Sequence, residues 1–192
     1  MTEQKRCPWC GTDPLYTAYH DNEWGTPLYG NQKLFELLIL EGAQAGLSWI
    51  TVLRKRENYR KAFDAFNPDK IARYTEAKKA KLLLNEGIIR NRLKIDSAIK
   101  NAQAYLAMQR NGEDFSEFLW SFVGGKPKQN KLLSMSQATS STPESDAMSK
   151  ALKQRGFNFV GSTICYAFMQ ATGMVNDHLV DCFRYKLCKS GK

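Results

Sequence analysis

Two histidines occur in this sequence, and each lies near a cysteine at one end of the chain. Cys7 and His20 stand near the N-terminus. His178 and Cys182 stand near the C-terminus at i,i+4, a spacing that places two side chains on one face of a helix. Two thiolates and two imidazoles are a complete tetrahedral shell for zinc. If all four residues bind one ion, the fold must bring the two ends of the chain together.

The spacing alone leaves other interpretations open. Free cysteine is among the most buried residue types, so each cysteine is also explained as a packed core residue. The chain has five cysteines, and the other three are Cys10, Cys165 and Cys188. Cys7 and Cys10 enclose a Pro-Trp pair, and this motif is typical of half a zinc knuckle or of a redox-active dithiol.

A second group of residues suits a flat, cationic ligand. Its aromatic members are Trp9, Tyr16, Tyr19 and Trp24 near the N-terminus, followed by Trp49. Glu41 falls on the apolar stripe of a predicted helix, where a carboxylate is costly unless it is paired or faces a cavity. Aromatic rings with one carboxylate can hold a cation by stacking, cation–π attraction and direct charge. An ordinary aromatic core with a salt-bridged or capping Glu41 is the alternative.

The charge of the chain favours a polyanionic partner. Lys and Arg exceed Asp and Glu by nine, giving a net charge of +9. Neutralised phosphates release counterions, so DNA is a natural ligand for such a surface, although a solvated basic surface is the alternative. No signal peptide is visible, and the apolar stretch over 34–40 is too short to span a bilayer. We expect a cytoplasmic protein of one domain over residues 1–192, with no membrane partner and reduced cysteines.

The elements that must position these residues are predicted to be helices. Asp13-Pro14, Asn67-Pro68 and Thr142-Pro143 are cap-plus-proline signals for helix starts. Ser48 is predicted to cap another helix, and apolar periodicity predicts helices over 91–110 and 115–123. Residues 124–141 are predicted to form a long irregular loop. No run of alternating apolar and polar residues is long enough to predict a sheet, so an all-α fold is expected.

A glycine-flanked turn lies between two of the predicted helices. The sequence GFNFVGST over 156–163 joins a helix predicted over 144–155 to one that ends at Gly173. Such a hairpin can direct backbone N–H groups and the positive end of a helix dipole at a phosphate. Any helical corner uses glycines, so the motif by itself is weak evidence. Residues 87–90 (GIIR) are a weaker candidate of the same kind.

Four segments of the chain resemble the type I 3-methyladenine DNA glycosylases, a constitutive bacterial family of the helix–hairpin–helix superfamily. They are 13–25 (DPLYTAYHDNEWG), 40–53 (LEGAQAGLSWITVL), 159–166 (FVGSTICY) and 174–178 (MVNDH). The resemblance extends over nearly the whole chain and weakens only in 124–141 and after Cys182.

The resemblance implies an all-α helix–hairpin–helix glycosylase fold of two closely packed helical lobes, with both termini tied by one structural zinc ion. The implied zinc ligands are Cys7, His20, His178 and Cys182. The implied base pocket consists of Trp9, Tyr16, Tyr19, Glu41 and Trp49, with Glu41 acting in base recognition and electrostatic catalysis. The implied DNA-binding hairpin comprises Gly156, Phe159, Val160, Gly161, Ser162 and Thr163. A closed four-ligand shell leaves no open position for water, so the zinc would be structural. We expect no organic cofactor, and we expect a monomer.

The implied activity is hydrolysis of the N-glycosidic bond of 3-methyladenine in alkylated double-stranded DNA, a base-excision repair reaction that leaves an abasic site. The base must be flipped out of the duplex. Because the methylated base is cationic, it departs as a neutral molecule and needs little help from a general acid. Asn176 occupies the position where many superfamily members carry an aspartate, with Asp177 next to it. No lysine near the hairpin is an obvious Schiff-base nucleophile, so we expect no lyase activity. A zinc-tied DNA-binding module without catalysis is the competing hypothesis.

Overall fold

The computed structural model describes residues 4–190, and within them ten α-helices make up nearly all regular structure. The helices are α1 (Pro14–Asn22), α2 (Asn31–Gln44), α3 (Trp49–Ala62), α4 (Pro68–Ile71), α5 (Glu76–Leu84), α6 (Arg92–Arg110), α7 (Phe115–Ser121), α8 (Pro143–Gln154), α9 (Ser162–Ala171) and α10 (Phe183–Ser190). The predicted all-α character is confirmed. None of these helices is long and apolar enough to cross a membrane.

The helix starts follow the predicted caps, with one exception. The Asp13 side chain accepts hydrogen bonds from the backbone N–H groups of Leu15 and Tyr16, at 2.9 and 3.1 Å. These bonds satisfy amides that a first helical turn leaves without intrahelical partners. Ser48 does stand at the start of α3, but its hydroxyl pairs with that of Thr51 at 2.8 Å and caps no backbone amide.

Several short elements differ from the prediction. Strands β1 (Lys128–Gln129) and β2 (Val175–Asn176) pair in parallel, so the segment 124–141 is not wholly irregular. Two residues are too few to show alternation in a sequence, and the pairing depends on tertiary contacts. Helix α7 ends at Ser121 rather than 123, and α9 ends at Ala171 rather than 173. Helix α5 was not predicted, because only Leu82 of its residues is fully buried.

One continuous apolar core runs through the helical fold. Leu38 of α2, Leu119 of α7, Met148 of α8 and Phe168 of α9 are all buried within it. Helix α2 contacts α3, α6, α7 and α9, so it lies at the centre of the molecule. A polar side chain on its buried face is therefore held by helices on several sides.

The two ends of the described chain lie together. The backbone N–H of Phe183 donates to the carbonyl of Lys5 at 3.0 Å, and that of Gly25 donates to the carbonyl of Gln170 at 3.1 Å. Gly173 has a φ of +69°, and a β-carbon there would lie 2.5 Å from the Thr26 carbonyl carbon. Only glycine permits this approach, which docks the N-terminal segment against the end of α9.

Candidate active site and metal centre

The four predicted metal ligands form one buried cluster. The donor atoms of Cys7, His20, His178 and Cys182 all lie within 4.8 Å of one another, and all four residues are buried. Sulfur-to-nitrogen separations are 3.6 Å for Cys7–His178, 3.5 Å for Cys182–His20 and 3.6 Å for Cys182–His178. Zn–S bonds of about 2.3 Å and Zn–N bonds of about 2.0 Å at tetrahedral angles require a separation of about 3.5 Å. The cluster thus has the dimensions of a tetrahedral metal site.

Hydrogen bonds orient both imidazoles toward the cluster. His20 Nδ1 lies 2.8 Å from the carboxylate of Asp21, which is itself held by Arg6 at 2.7 Å. His178 Nε2 lies 3.0 Å from the carbonyl of Trp24. Each of these nitrogens faces an acceptor and must carry the proton, so the other nitrogen presents a lone pair to the cluster. This outer shell is the arrangement that metal-binding histidines use.

Two of the five cysteine sulfurs belong to the four-donor cluster. The neighbouring Cys182 sulfur and burial both raise the pKa of the Cys7 thiol. Cys10 lies outside the four-donor group, and its thiol donates to the Cys7 carbonyl at 3.2 Å. Cys165 and Cys188 are also buried, and neither belongs to the four-donor group. Cys7 and Cys10 thus take different roles, which does not favour the redox-dithiol interpretation.

The five predicted base-pocket residues line one cavity of about 240 Å³. Its complete lining is Trp9, Tyr16, Tyr19, Trp24, Glu41, Gln44, Trp49, Met135, Ala167 and Gln170. Four of these residues were not predicted to line the pocket: Gln44, Met135, Ala167 and Gln170. Trp24 belongs to the aromatic group predicted to suit a cationic ligand, but not to the base pocket that the resemblance implies. Gln44 could have been found from its i+3 relation to Glu41. Met135 has no comparable signal, since it arrives from the loop after β1.

The aromatic wall of the cavity packs against the cluster of Cys7, His20, His178 and Cys182. Helix α1 presents Tyr16 and Tyr19 on one face, three residues apart. Trp9 packs edge-on against Tyr16 and Trp24, with ring centroids 5.1 and 4.8 Å apart. Trp24 in turn packs against the ring of His178 at 4.7 Å. Direct ring contacts therefore connect the Cys/His cluster to the cavity.

Glu41 supplies the carboxyl group of the cavity, and it is only 3% exposed. Its Oε2 has no hydrogen-bond partner among the described residues, and neither do the indole nitrogens of Trp9 and Trp49. Burial raises the pKa of Glu41 to about 8, so the carboxyl is largely neutral in the empty cavity at pH 7. Buried polar atoms without partners are rare in native proteins, and three around one cavity indicate a polar ligand.

Asn176 and Asp177, the two residues after Val175, make hydrogen bonds to different parts of the fold. Asn176 is fully buried, and its amide donates to Gln129 at 2.8 Å and to the carbonyl of Tyr185 at 3.0 Å. Asn176 is therefore engaged in packing the C-terminal segment and does not line the cavity. The neighbouring Asp177 instead accepts a hydrogen bond at 2.8 Å from Gln170, a residue that does line the cavity.

The predicted DNA-binding turn joins α8 to α9. Gly156 and Phe159 adopt positive φ of +90° and +54°. Val160 is buried, and its carbonyl accepts a hydrogen bond from Ser149 at 2.6 Å, so this residue offers only backbone to a ligand. Gly161 precedes α9 without a side-chain cap, which leaves the first amides of that helix without a side-chain acceptor.

A second cleft beside this turn is lined by two lysines, Lys150 and Lys153, and by one carboxylate, Asp146. Ser162 lies in the same cleft and its hydroxyl donates to Asp146, while Thr163 is exposed next to it. The weaker candidate over 87–90 differs, because the helix that follows it is capped by the side chain of Asn91. The start of α9 is thus the better anion site of the two.

Comparison with known proteins identifies the family. The family model for methyladenine glycosylases matches residues 9–185. DNA-3-methyladenine glycosylase 1 of Escherichia coli (strain K12) is 57% identical over 181 residues, covering 94% of this chain and 97% of that protein. A crystal structure of 3-methyladenine DNA glycosylase I has a TM-score of 0.92 at 59% identity, covering 93% and 98% of the two chains.

A solved structure of 3-methyladenine DNA glycosylase I from Staphylococcus aureus, which describes the structural basis of 3-methyladenine recognition, has a TM-score of 0.89 at 41% identity. It covers 93% of this chain and 95% of the other. The resemblance noted in the sequence is therefore confirmed. The chain belongs to the methyladenine glycosylase family, whose members are hydrolases that act on N-glycosyl bonds.

Proposed function

We propose that this protein, acting as a single domain, hydrolyses the N-glycosidic bond of 3-methyladenine in alkylated duplex DNA and leaves an abasic site. The observation that carries the proposal is the Glu41 carboxyl, which is buried in an aromatic cavity with one oxygen free of hydrogen bonds to the described residues. The name of the Escherichia coli relative, DNA-3-methyladenine glycosylase 1, supports the same substrate.

Charge selects the base in this proposal. A cationic base that enters the cavity stabilises the ionised form of Glu41, whereas a neutral adenine does not offset the cost of burying that charge. The rings of Tyr16, Tyr19 and Trp49 add stacking and cation–π attraction. The cavity thus favours 3-methyladenine over the large excess of normal adenine.

Bond cleavage follows from the charge of the base. The bond between the sugar and the base breaks with both electrons going to the base, which departs neutral and leaves an oxocarbenium-like sugar. Water adds to the sugar and loses a proton, so no covalent enzyme intermediate forms. The ionised Glu41 stabilises positive charge in the flipped nucleotide. This scheme requires no lysine nucleophile, and the protein acts as a monofunctional glycosylase.

Helix α9 connects DNA binding to the cavity. Its uncapped start, from Gly161 to Thr163, receives a phosphate of the damaged strand, while Ala167 and Gln170 further along the helix line the cavity. Leu47 lies in the turn between Gln44 and Trp49, which both line the cavity, and it is 40% exposed. We assign Leu47 to fill the gap that the flipped base leaves in the duplex.

Zinc is the metal that suits the cluster of Cys7, His20, His178 and Cys182. Two sulfur and two nitrogen donors in a buried tetrahedron match a closed structural site, whose ion fastens both chain ends and supports the aromatic wall. Metal analysis should find one zinc per chain. Exhaustive chelation should lower the melting temperature, because the four metal bonds that join the two chain ends would be lost.

The decisive experiment measures bases released from duplex DNA methylated with a radiolabelled methyl group. We expect 3-methyladenine release from methylated DNA, no release from unmethylated DNA and no strand cleavage by the enzyme alone. Salt-dependent DNA binding without any base release would instead establish the non-catalytic DNA-binding module. Strand cleavage at the abasic site would contradict the monofunctional assignment.

A further inference from the structure

We propose that Gln170 reads the exocyclic group of the flipped base and that Asp177 fixes the orientation in which Gln170 does so. This inference rests on the proposed function and adds a residue that determines specificity and a second that positions it. Gln170 lies in α9, lines the same cavity as Glu41, and is bound through its side chain to Asp177.

Asp177 is the centre of a small buried network. Its Oδ2 accepts hydrogen bonds from the Tyr166 hydroxyl at 2.7 Å and from the Gln170 amide nitrogen at 2.8 Å. Its Oδ1 accepts from the Asn130 amide at 2.8 Å. Asp177 is 5% exposed and makes no ion pair within residues 4–190. Three donors and no cation therefore satisfy this carboxylate.

The network decides which end of the Gln170 amide faces the cavity. A carboxylate only accepts hydrogen bonds, so it must be approached by the NH₂ group of Gln170 and not by its carbonyl oxygen. The amide is consequently held with its oxygen turned away from Asp177. That oxygen makes no hydrogen bond to the described part of the protein, and Gln170 lines the cavity. The structure thus supplies an oriented acceptor in addition to Glu41.

An acceptor at this position distinguishes the two purines by their exocyclic groups. At C6, adenine carries an amino group, which donates, whereas guanine carries a carbonyl oxygen, which accepts. The Gln170 oxygen pairs with the amino group of 3-methyladenine and opposes the oxygen of 3-methylguanine. The reversed amide would favour the guanine lesion. The Asp177–Gln170 pair therefore directs the cavity toward the adenine lesion.

The test compares Gln170→Leu, Asp177→Asn and Tyr166→Phe with the wild type, using duplex DNA methylated with a radiolabelled methyl group. The ratio of 3-methyladenine to 3-methylguanine released should fall about tenfold in Gln170→Leu, as one hydrogen bond is lost. The ratio should fall at least as far in Asp177→Asn. An amide at position 177 can accept from the NH₂ group of Gln170 or donate to its carbonyl oxygen, so it no longer fixes the orientation of Gln170. Tyr166→Phe removes another donor to the same oxygen but keeps Gln170 bound, so its ratio should stay within about twofold of the wild type.

Binding of free 3-methyladenine, followed by quenching of tryptophan fluorescence, supplies a second measurement. We expect about tenfold weaker binding in Gln170→Leu. Unchanged ratio and unchanged binding in Gln170→Leu would overturn the role of Gln170. An equal fall in the ratio for Tyr166→Phe and Asp177→Asn would show a general loss of packing and overturn the positioning role of Asp177. If the wild type releases neither base, the proposed function fails, and the binding measurement still decides the role of Gln170.

Discussion

Replacing Glu41 by glutamine should make the protein more stable and less active. A gain in stability together with a loss of activity would show that Glu41 serves function rather than folding. Burial raises the pKa of Glu41 from 4.5 to about 8. Each pKa unit corresponds to about 1.4 kcal/mol, so ionising the carboxyl in the empty cavity costs about 5 kcal/mol. Glutamine has nearly the same shape and avoids this cost.

The pH dependence has a definite sign. Because the pKa of Glu41 is raised in the folded state, the wild type loses stability as the pH rises from 4.5 to about 8. The free energy of unfolding of Glu41→Gln should exceed that of the wild type by about 1 kcal/mol or less at pH 5 and by about 3 kcal/mol at pH 7. Loss of the charge beside a cationic base should lower kcat/KM for excision about a hundredfold.

Urea denaturation at pH 5 and pH 7 measures the stability difference, and release of 3-methyladenine from methylated DNA measures the activity. Glu57→Gln is the matched control, because the Glu57 side chain is 69% exposed and lies away from the cavity. It should change neither quantity appreciably. A stability difference for Glu41→Gln that is the same at both pH values would refute the argument from burial. Full excision by the same variant would refute the role of Glu41 in the reaction.

Three further substitutions test other parts of the structure. Asp21→Ala removes the acceptor 2.8 Å from His20 Nδ1 and should weaken zinc binding about tenfold to a hundredfold in competition with a chromophoric chelator; unchanged affinity would show that this contact does not orient the ligand. Gly173→Ala would place a β-carbon 2.5 Å from a backbone carbon. It should lower the free energy of unfolding by about 2 kcal/mol more than Gly124→Ala, where φ is +71° but the space is open. Equal effects of the two substitutions would argue against the clash. Leu47→Ala should slow excision from duplex DNA about tenfold and leave binding of free 3-methyladenine unchanged, and equal losses in both would place Leu47 in the base pocket instead.

The helical class and several site residues could be predicted from the sequence alone, because they depend on local chemistry. Helix caps such as Asp13 act within one turn, and helical periodicity is a local property of the chain, so the all-α class followed without tertiary information. Glu41 stood out because a carboxylate on an apolar stripe needs a special environment. The chemistry of the four zinc-type donors was likewise visible from their identities.

Distances between remote segments were decided only by the tertiary structure. No local rule brings Cys7 within 3.6 Å of His178, because the two residues lie at opposite ends of the chain and meet only when the helices between them have packed. The same holds for Met135 at the cavity and for the two-residue pairing of β1 with β2. The orientation of Gln170 depends on its hydrogen bond to Asp177. That bond belongs to a network that forms only in the folded protein, so the residues next to Gln170 in the sequence do not reveal it. Amino-acid types thus determine which chemistry is possible, whereas packing of the helices determines which groups face one another.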